Sequence, residues 1–563
     1  MGTEEGICLV GSESKTRIAQ EQSRMVAILL IATLSIVGAL RPTDASASEY
    51  AGDLTSPIVS VASPTPGATV GGIVSVTANA SDNVAVTQVK WYVDGREIAW
   101  DGEGSPWTSS WNSTSVTDSL HEIIAKAGDA AGNWGTSQAL TFTVRNTTVA
   151  ADVTVTVDRT IPAGTSGLST GATHTQYSLD PAGDSVAVAN GKKLLAAATR
   201  YQNQHIYGWG AANPNPKPGV YDWSTLDRRI ALIRSMGATP VITLCCAPDW
   251  MTSLATTTSE FRALPPTPDH YDDFTDLARR IALRYPDVKH YLVWNEMKGF
   301  WSNTINNWDY AAYTAMYNQI YDALKGIDSS IKVGGPYLVL EGTGSNRGDG
   351  STQTPITPRN MQVIDYWLRY KRGADFIVVT RRVLDWHDRT SYSEGELLAL
   401  PYLFASVSEQ IRTRTSLPIW WSEDYCAGGG RLDYFTGNND WLFQAACLAS
   451  VLYHELKGGS AVSLRWQPQG VGGGIYYGND ENLFSDTRQG GGGQPFPSYW
   501  VYRSFHDFFS AGTPLYKATS SSPDVEVLAS STRVLLINKR PTSTTVDVNG
   551  GRITLARYEV RVL

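Results

Sequence analysis

Between residues 171 and 510, short apolar runs alternate with longer amphipathic stretches, and this alternation constrains the fold more than any other feature of the chain. Strand-like runs fall at about 173–179, 203–208, 240–246, 290–295, 332–335, 375–380, 418–423 and 461–466. Helical patterns follow them at 184–198, 224–236, 271–284, 309–324, 359–370, 397–413, 441–456 and 497–509. In the fourth of these, Tyr310, Tyr313, Tyr317, Ile320 and Leu324 recur at spacings of three and four, so they share one helix face. The strands are short and apolar, as strands covered on both faces are. Eight βα units in succession predict a parallel (β/α)8 barrel of the TIM type over 171–510.

The flanking sequence has a different texture. Residues 54–146 are rich in Val, Thr and Ser in short alternating runs, with Asp94-Gly95 as a hairpin signal. The wording Ser81-Asp82-Asn83-Val84-Ala85-Val86, Trp91-Tyr92-Val93-Asp94-Gly95 and Gly128-Asp129-Ala130-Ala131-Gly132-Asn133 resembles bacterial Ig-like domains. That resemblance implies a β-sandwich acting as a spacer or adhesive unit. Residues 147–170 read as a linker with a strand, and 511–563 as a small C-terminal β-sandwich that 152–157 can complete.

At the N-terminus, residues 26–40 carry no charge, follow Arg24 and lead to Ala45-Ser46-Ala47. This pattern predicts a leader over 1–47, with Met1 or Met25 as its start, and an exported chain without a membrane span after processing. The formal net charge is −8 and no run of Lys or Arg forms a basic face, which argues against a nucleic-acid partner. With 18 Trp, 27 Tyr and 13 Phe, the chain has too much buriable surface for disorder and enough flat rings to stack on sugars. Cys245, Cys246, Cys426 and Cys447 show no zinc spacing, and the expectation is four buried thiols, with Cys245 and Cys246 on opposite sides of a strand.

Active sites of such barrels sit at the C-terminal strand ends. The fourth strand ends Trp294-Asn295-Glu296 and the seventh ends Trp421-Ser422-Glu423. Two carboxylates at one mouth, flanked by Trp, suit glycosidic cleavage: one gives a proton to the leaving oxygen while the other attacks or activates water. These motifs resemble the clan of retaining glycosidases with (β/α)8 barrels, and within it glycoside hydrolase family 39, the β-xylosidase-like group. The resemblance implies Glu296 as acid/base, Glu423 as nucleophile, Asn295 on the sugar 2-hydroxyl and a carboxyl separation of about 5–5.5 Å. The chain departs from the familiar pattern at Met297-Lys298, at Ser422 before Glu423, and at Asn203 and His205 where an Arg often stands.

His174 and His205 end the first two strands and either line a sugar subsite or serve as structural histidines. Trp209, Trp250, Trp301 and Trp466 either stack on substrate or pack in the core. Asp385-Trp386-His387-Asp388 matches no strong ligand motif, and neither a metal nor a cofactor is expected. The polysaccharide or oligosaccharide partner is thus cleaved by a retaining hydrolase or, in the alternative, held by a non-catalytic adhesive protein with a degenerate barrel.

Overall fold

The computed structural model of the protein describes residues 53–102, 104–146, 151–179, 182–253, 263–340, 354–383, 393–426, 440–470 and 482–563. The predicted leader, the Asp385–Asp388 stretch and most of the loop at 340–358 lie outside them. The chain divides into two compact units, Met1–Val149 and Ala150–Leu563.

The first unit is a two-sheet β structure. Ile58–Ser63, Ile73–Ser81 and Trp107–Asn112 form one sheet, and the other runs Thr69–Val70, Leu140–Val144, Leu120–Asp129, Val86–Val93, Arg96–Asp101. Period-two alternation does the sorting: Val74, Val76 and Ala78 are buried while Ile73 and Ser75 face out. Trp91, Ile123, Ala125 and Phe142 are fully buried, and Trp111 meets Phe142 edge-on at 6.0 Å. The hairpin turn carries positive φ at both Asp94 (48°) and Gly95 (80°), the geometry a twisted two-residue turn requires.

In the second unit eight parallel strands close into a barrel. We number them β1 (Ser169–Thr173), β2 (Tyr201–His205), β3 (Thr239–Leu244), β4 (His290–Val293), β5 (Lys332–Val339), β6 (Phe376–Arg382), β7 (Ile419–Tyr425) and β8 (Val462–Trp466). The helices are α1 (Ser185–Ala198), α2 (Ser224–Ser235), α3 (Tyr271–Arg284), α4 (Tyr310–Ile327), α5 (Pro358–Tyr370), α6 (Tyr402–Arg412), α7 (Trp441–Lys457) and α8 (Pro497–Phe508). Closure is made by β1 against β8, with Gly171 opposite Leu464.

Inside the barrel, Val241, Leu292, Tyr337, Phe376, Val378, Trp420, Val462 and Leu464 form their own cluster. Phe376 stacks on Trp420 at 4.2 Å, and His290 on the same indole at 5.5 Å. Outward-facing residues pack with the helices in one large core, to which the Tyr face of α4 contributes Tyr313, Tyr317, Ile320 and Leu324.

Three expectations need correction. The first strand is Ser169–Thr173, not 173–179. Its Ser, Gly and Ala residues are small and buried on both sides, so no apolar run marks it. The C-terminal strands form one seven-stranded sheet, not a sandwich: Gly551–Leu555, Thr544–Val548, Val153–Thr165, Pro514–Ser520, Val525–Ser530, Val534–Asn538, Val560–Val562. Nor are they a separate body. Leu528, Leu535 and Ile537 join the barrel's core, and Glu526 takes hydrogen bonds from Ser450 and Lys539 and pairs with His454. Finally, the four cysteines are bonded, Cys245 to Cys246 and Cys426 to Cys447. β3 ends at Leu244, so strand alternation no longer holds Cys245 and Cys246 apart, and α7 folds back on β7 to bring Cys447 to Cys426.

Close packing at the barrel seam is testable at Gly171. A Cβ there would sit 2.4 Å from Leu464 Cδ2 and 2.6 Å from the Tyr201 carbonyl oxygen, and a backbone oxygen cannot give way. Gly171→Ala should cost about 1–3 kcal/mol in urea unfolding. Gly326→Ala, in α4 with nothing within 4 Å, should be neutral or stabilising.

Candidate active site

Both carboxylates reach the barrel mouth through irregular backbone. After β4 the chain turns sharply, with positive φ at Trp294 (70°), Glu296 (49°) and Met297 (48°). Such conformations cost non-glycine residues about 1–3 kcal/mol each and persist only where the surroundings hold them. The hold here is Trp294, fully buried, whose indole donates to the Lys298 carbonyl at 2.8 Å and packs edge-on against Phe274 and Phe300. Asn295 accepts from the Lys298 amide at 3.0 Å through its own carbonyl.

At β7 the pairing with β6 slips: Val379 faces Trp421, but Thr380 faces Glu423, leaving Ser422 as a bulge residue. Trp420 points into the barrel and Trp421 into the outer core, so strict alternation would turn Glu423 outward. The bulge reverses that and aims Glu423 at the interior, as bulges beside functional sites do. Thr380 Oγ1 donates to the Glu423 carbonyl at 2.7 Å and Ser422 Oγ to the Val379 carbonyl at 3.1 Å. From behind, Arg465 donates to the Asp424 carbonyl at 2.8 Å and pairs with its carboxylate at 3.1 Å.

A second bulge, between Pro336 and Leu338 on β5, puts Tyr337 at φ 51°. Its hydroxyl donates to Glu423 Oε1 at 2.7 Å. Burial, and after it the charges of Glu423 and Glu296, push the Tyr337 phenol well above its usual value, so it stays a neutral donor. Lys298 is ion-paired with Glu296. Burial draws its ammonium down, but the attraction of Glu296 and then Glu423 outweighs this and leaves it above the usual lysine value. Tyr337 and Lys298 each feel both carboxylates, which places Glu296 and Glu423 in one site.

His205 stands beside Asn295, with its ring 4.5 Å from Trp209 and 5.9 Å from Trp466. Burial, then the nearby Lys298 charge, lowers His205 to about 3, so the ring is neutral. Both side chains are buried, and none of their polar side-chain atoms makes a hydrogen bond of normal geometry. Unsatisfied buried donors and acceptors are rare in folded proteins, and here they converge beside two carboxylates.

The structure therefore brings Glu296, Glu423, Asn295, His205 and Trp466 together. His174 is not with them: it is fully buried behind the wall, bonded to Gln202 Oε1 at 2.9 Å, and Gln202 faces outward because Asn203 faces in. Trp250 donates to the Asn215 carbonyl at 2.9 Å and abuts His270, a loop-bracing role. Trp301 starts a two-strand ribbon with Trp308, under the Arg359 guanidinium. Tyr337 was missed because Gly335-Pro336 reads as the end of a strand. Lys298 stood out only as a departure from a motif.

The family model of the bacterial Ig domain matches residues 57–125, so the N-terminal module is Ig-like. No curated protein matches the chain significantly. Among solved structures, the chain is similar to a conserved exported protein from Bacteroides fragilis, at 12% identity over 73% of this chain and 99% of that one, TM-score 0.54. It is similar to SrfJ from Salmonella typhimurium at 12% identity, 76% and 95% coverage and TM-score 0.50. A GH39 β-xylosidase from Caulobacter crescentus aligns at 18% identity, 70% and 83% coverage and TM-score 0.49. The first two likenesses show the fold of the larger unit. Among the described residues, no helix is long and apolar enough to cross a membrane.

The buried histidines predict acid sensitivity. His174 and His205 fall from 6.5 to about 3 in the folded chain, in both cases first through burial. Below pH 6.5 the unfolded chain takes up protons that the folded one refuses, so stability drops as pH falls from about 6.5 towards 3. Each group adds roughly 1.4 kcal/mol per pH unit. Urea unfolding between pH 7 and 4 should show this slope, shallower by one such increment in His174→Gln. An unchanged slope in that variant would refute the assignment.

Proposed function

We propose that the protein is an exported retaining glycoside hydrolase that cleaves O-glycosidic bonds of a polysaccharide or its oligosaccharides. The observation that carries this reading is the pair Glu296 and Glu423, on the ends of β4 and β7, sharing Tyr337 and Lys298 beside the buried polar side chains of Asn295 and His205. Glu423, steadied by the Tyr337 hydroxyl, attacks the anomeric carbon while Glu296 passes a proton to the leaving oxygen. Water then attacks the glycosyl–Glu423 ester, and Glu296 takes its proton. Asn295 and His205 supply hydrogen bonds to ring hydroxyls, and Trp209 and Trp466 flank the sugar. A xylosidic substrate rests on the motif resemblance alone.

Export is supported by the apolar segment at 26–40 with its Ala45-Ser46-Ala47 ending, and by two disulfides, which persist in oxidising compartments. One observation favours the alternative of a carbohydrate-binding protein with a silent barrel. The Lys298 ion pair must open before Glu296 can carry a proton to a leaving group.

Turnover of aryl β-glycosides and xylans by the processed chain decides between them. Glu423→Ala should lose several orders of magnitude in rate, with azide restoring turnover and giving a glycosyl azide of inverted configuration. Glycan binding with no turnover of any substrate would establish the silent barrel instead. Tyr337→Phe removes a hydrogen bond to a charged group and should lower kcat about 10–100-fold with the fold intact. An unchanged kcat would mean that Glu423 is not the attacking group.

A further inference from the structure

Behind the wall that carries Glu423, three ionisable side chains are sealed in one place. Asp424 follows Glu423 on β7, Arg465 lies on the neighbouring β8, and Glu455 on α7 feels the charges of both. Asp424 and Glu455 are fully buried and Arg465 is nearly so. The Cys426–Cys447 bond joins the same helix to the chain just past β7.

Hydrogen bonds are shared unequally among them. Arg465 donates to the Asp424 carbonyl at 2.8 Å and to its carboxylate at 3.1 Å, and Ser463 Oγ donates to the other carboxylate oxygen at 3.3 Å. Both oxygens of Glu455 are closed to solvent, and neither makes a hydrogen bond of normal geometry. Ser463 has a single hydroxyl proton and gives it to Asp424, so towards the nearby Glu455 it offers only lone pairs. A carboxylate would be repelled by them, whereas a carboxylic acid can donate to them.

The charge count gives the same answer. Two carboxylates against one guanidinium, sealed from water, leave one charge uncompensated, and burying such a charge is expensive. Glu455, the one without donors, is the group that gives up its charge. Burial pushes its carboxyl well above the usual range, the Asp424 charge pushes further, and Ser463 and Arg465 offset only part of this. Burial raises Asp424 too, against the pull of Arg465 and Ser463. The other titratable group here, Tyr502 on α8, is a neutral phenol whose hydroxyl lies between the Gly171 and Ser463 carbonyls.

We propose that Glu455 is a positioning residue for Glu423: as an uncharged acid it leaves Arg465 to Asp424, and that ion pair holds the end of β7 where its bulge aims Glu423 inwards. An ionised Glu455 would compete with Asp424 for the same guanidinium and slacken the strand immediately after the attacking group. This inference rests on the hydrolase reading of the barrel.

Glu455→Gln keeps the shape of the side chain and fixes its neutral form, and urea unfolding of parent and variant reads the proton. Above about pH 4.5 the unfolded parent releases that proton and the folded parent keeps it, so the parent should lose stability relative to the variant as pH rises. Between pH 5 and 7 the ratio of their folding constants should change about tenfold per pH unit. A flat ratio overturns the proposal.

A second arm reads Glu423. A dinitrophenyl glycoside of the accepted sugar needs no proton on its leaving group, so its pH profile omits Glu296. On this substrate the parent should lose kcat/KM on the alkaline side, and Glu455→Gln should hold it about one pH unit or more further, with the acid limb unmoved. Near-ultraviolet circular dichroism checks that both chains are folded throughout. Coincident profiles would leave Glu455 without a hold on Glu423 and overturn the proposal. A chain that passes the unfolding arm but turns over no glycoside refutes the hydrolase reading, and the positioning role goes with it. A hydrolase that fails either arm refutes this inference alone.

Discussion

Closing eight parallel strands on themselves is the constraint from which the rest of the larger unit follows. Parallel pairing sends every strand's C-terminal end to one mouth, and closure removes the edges that an open sheet would leave. The interior is then too narrow for large side chains on every strand. Phe376, Trp420, His290 and Tyr201 fill it together, and β1 and β5 answer with Gly171 and Gly334. A regular barrel of this kind is a packed cylinder with no reason to present two carboxylates to each other. The site exists because β5 and β7, on either side of β6, each take one extra residue, so that Tyr337 and Glu423 both turn inward and meet at 2.7 Å.

That division explains what could be read from the sequence. The βα alternation is a property of burial on both faces, and burial is written in the choice of Val, Ile and Leu. Strands β3, β4, β6, β7 and β8 fall within a few residues of where their apolar runs lie. β1 has no such run, since Ser169-Thr170-Gly171-Ala172-Thr173 is selected for small volume at the seam, and volume leaves no periodic trace. The C-terminal strands read as an independent sandwich because their alternation is clean. What alternation cannot show is that Leu528, Leu535 and Ile537 on one side meet the barrel's helices, while Val525, Val527 and Leu536 on the other form a core of their own.

Glu296 and Glu423 were legible because they end apolar runs on two strands of a predicted barrel. Their partners were not. Tyr337 follows Gly-Gly-Pro, which ends most strands, and nothing local signals that this one continues through a bulge to Val339. The role of Lys298 depends on a turn that folds it back onto Glu296, two residues away, in a segment that belongs to neither strand nor helix. His174 and His205 look equivalent in sequence, each just at or past a strand end. One residue of pleat separates them: the first bonds outward-facing Gln202, and the second faces inward among Trp209, Trp466 and Asn295.

Backbone conformation gives an independent reason to place function at this mouth. Among the described residues, the non-glycine positions with positive φ include Asp94, Asn306 and Asn549, whose short polar side chains tolerate it in turns. Of the remaining eight, Tyr558 lies in the C-terminal sheet region. The other seven, Leu179, Trp209, Trp294, Glu296, Met297, Tyr337 and Gln467, all lie on or beyond the C-terminal parts of barrel strands. The Cys245–Cys246 bond sits there as well, just past β3. Packing alone gives no reason to concentrate costly conformations at one end of a symmetric cylinder, since the N-terminal turns face the same sterics. Concentrating them at the end where Glu296, Glu423, His205 and Asn295 converge is what a preorganised site requires, because the strain fixes side chains that relaxed turns would leave free to solvate elsewhere.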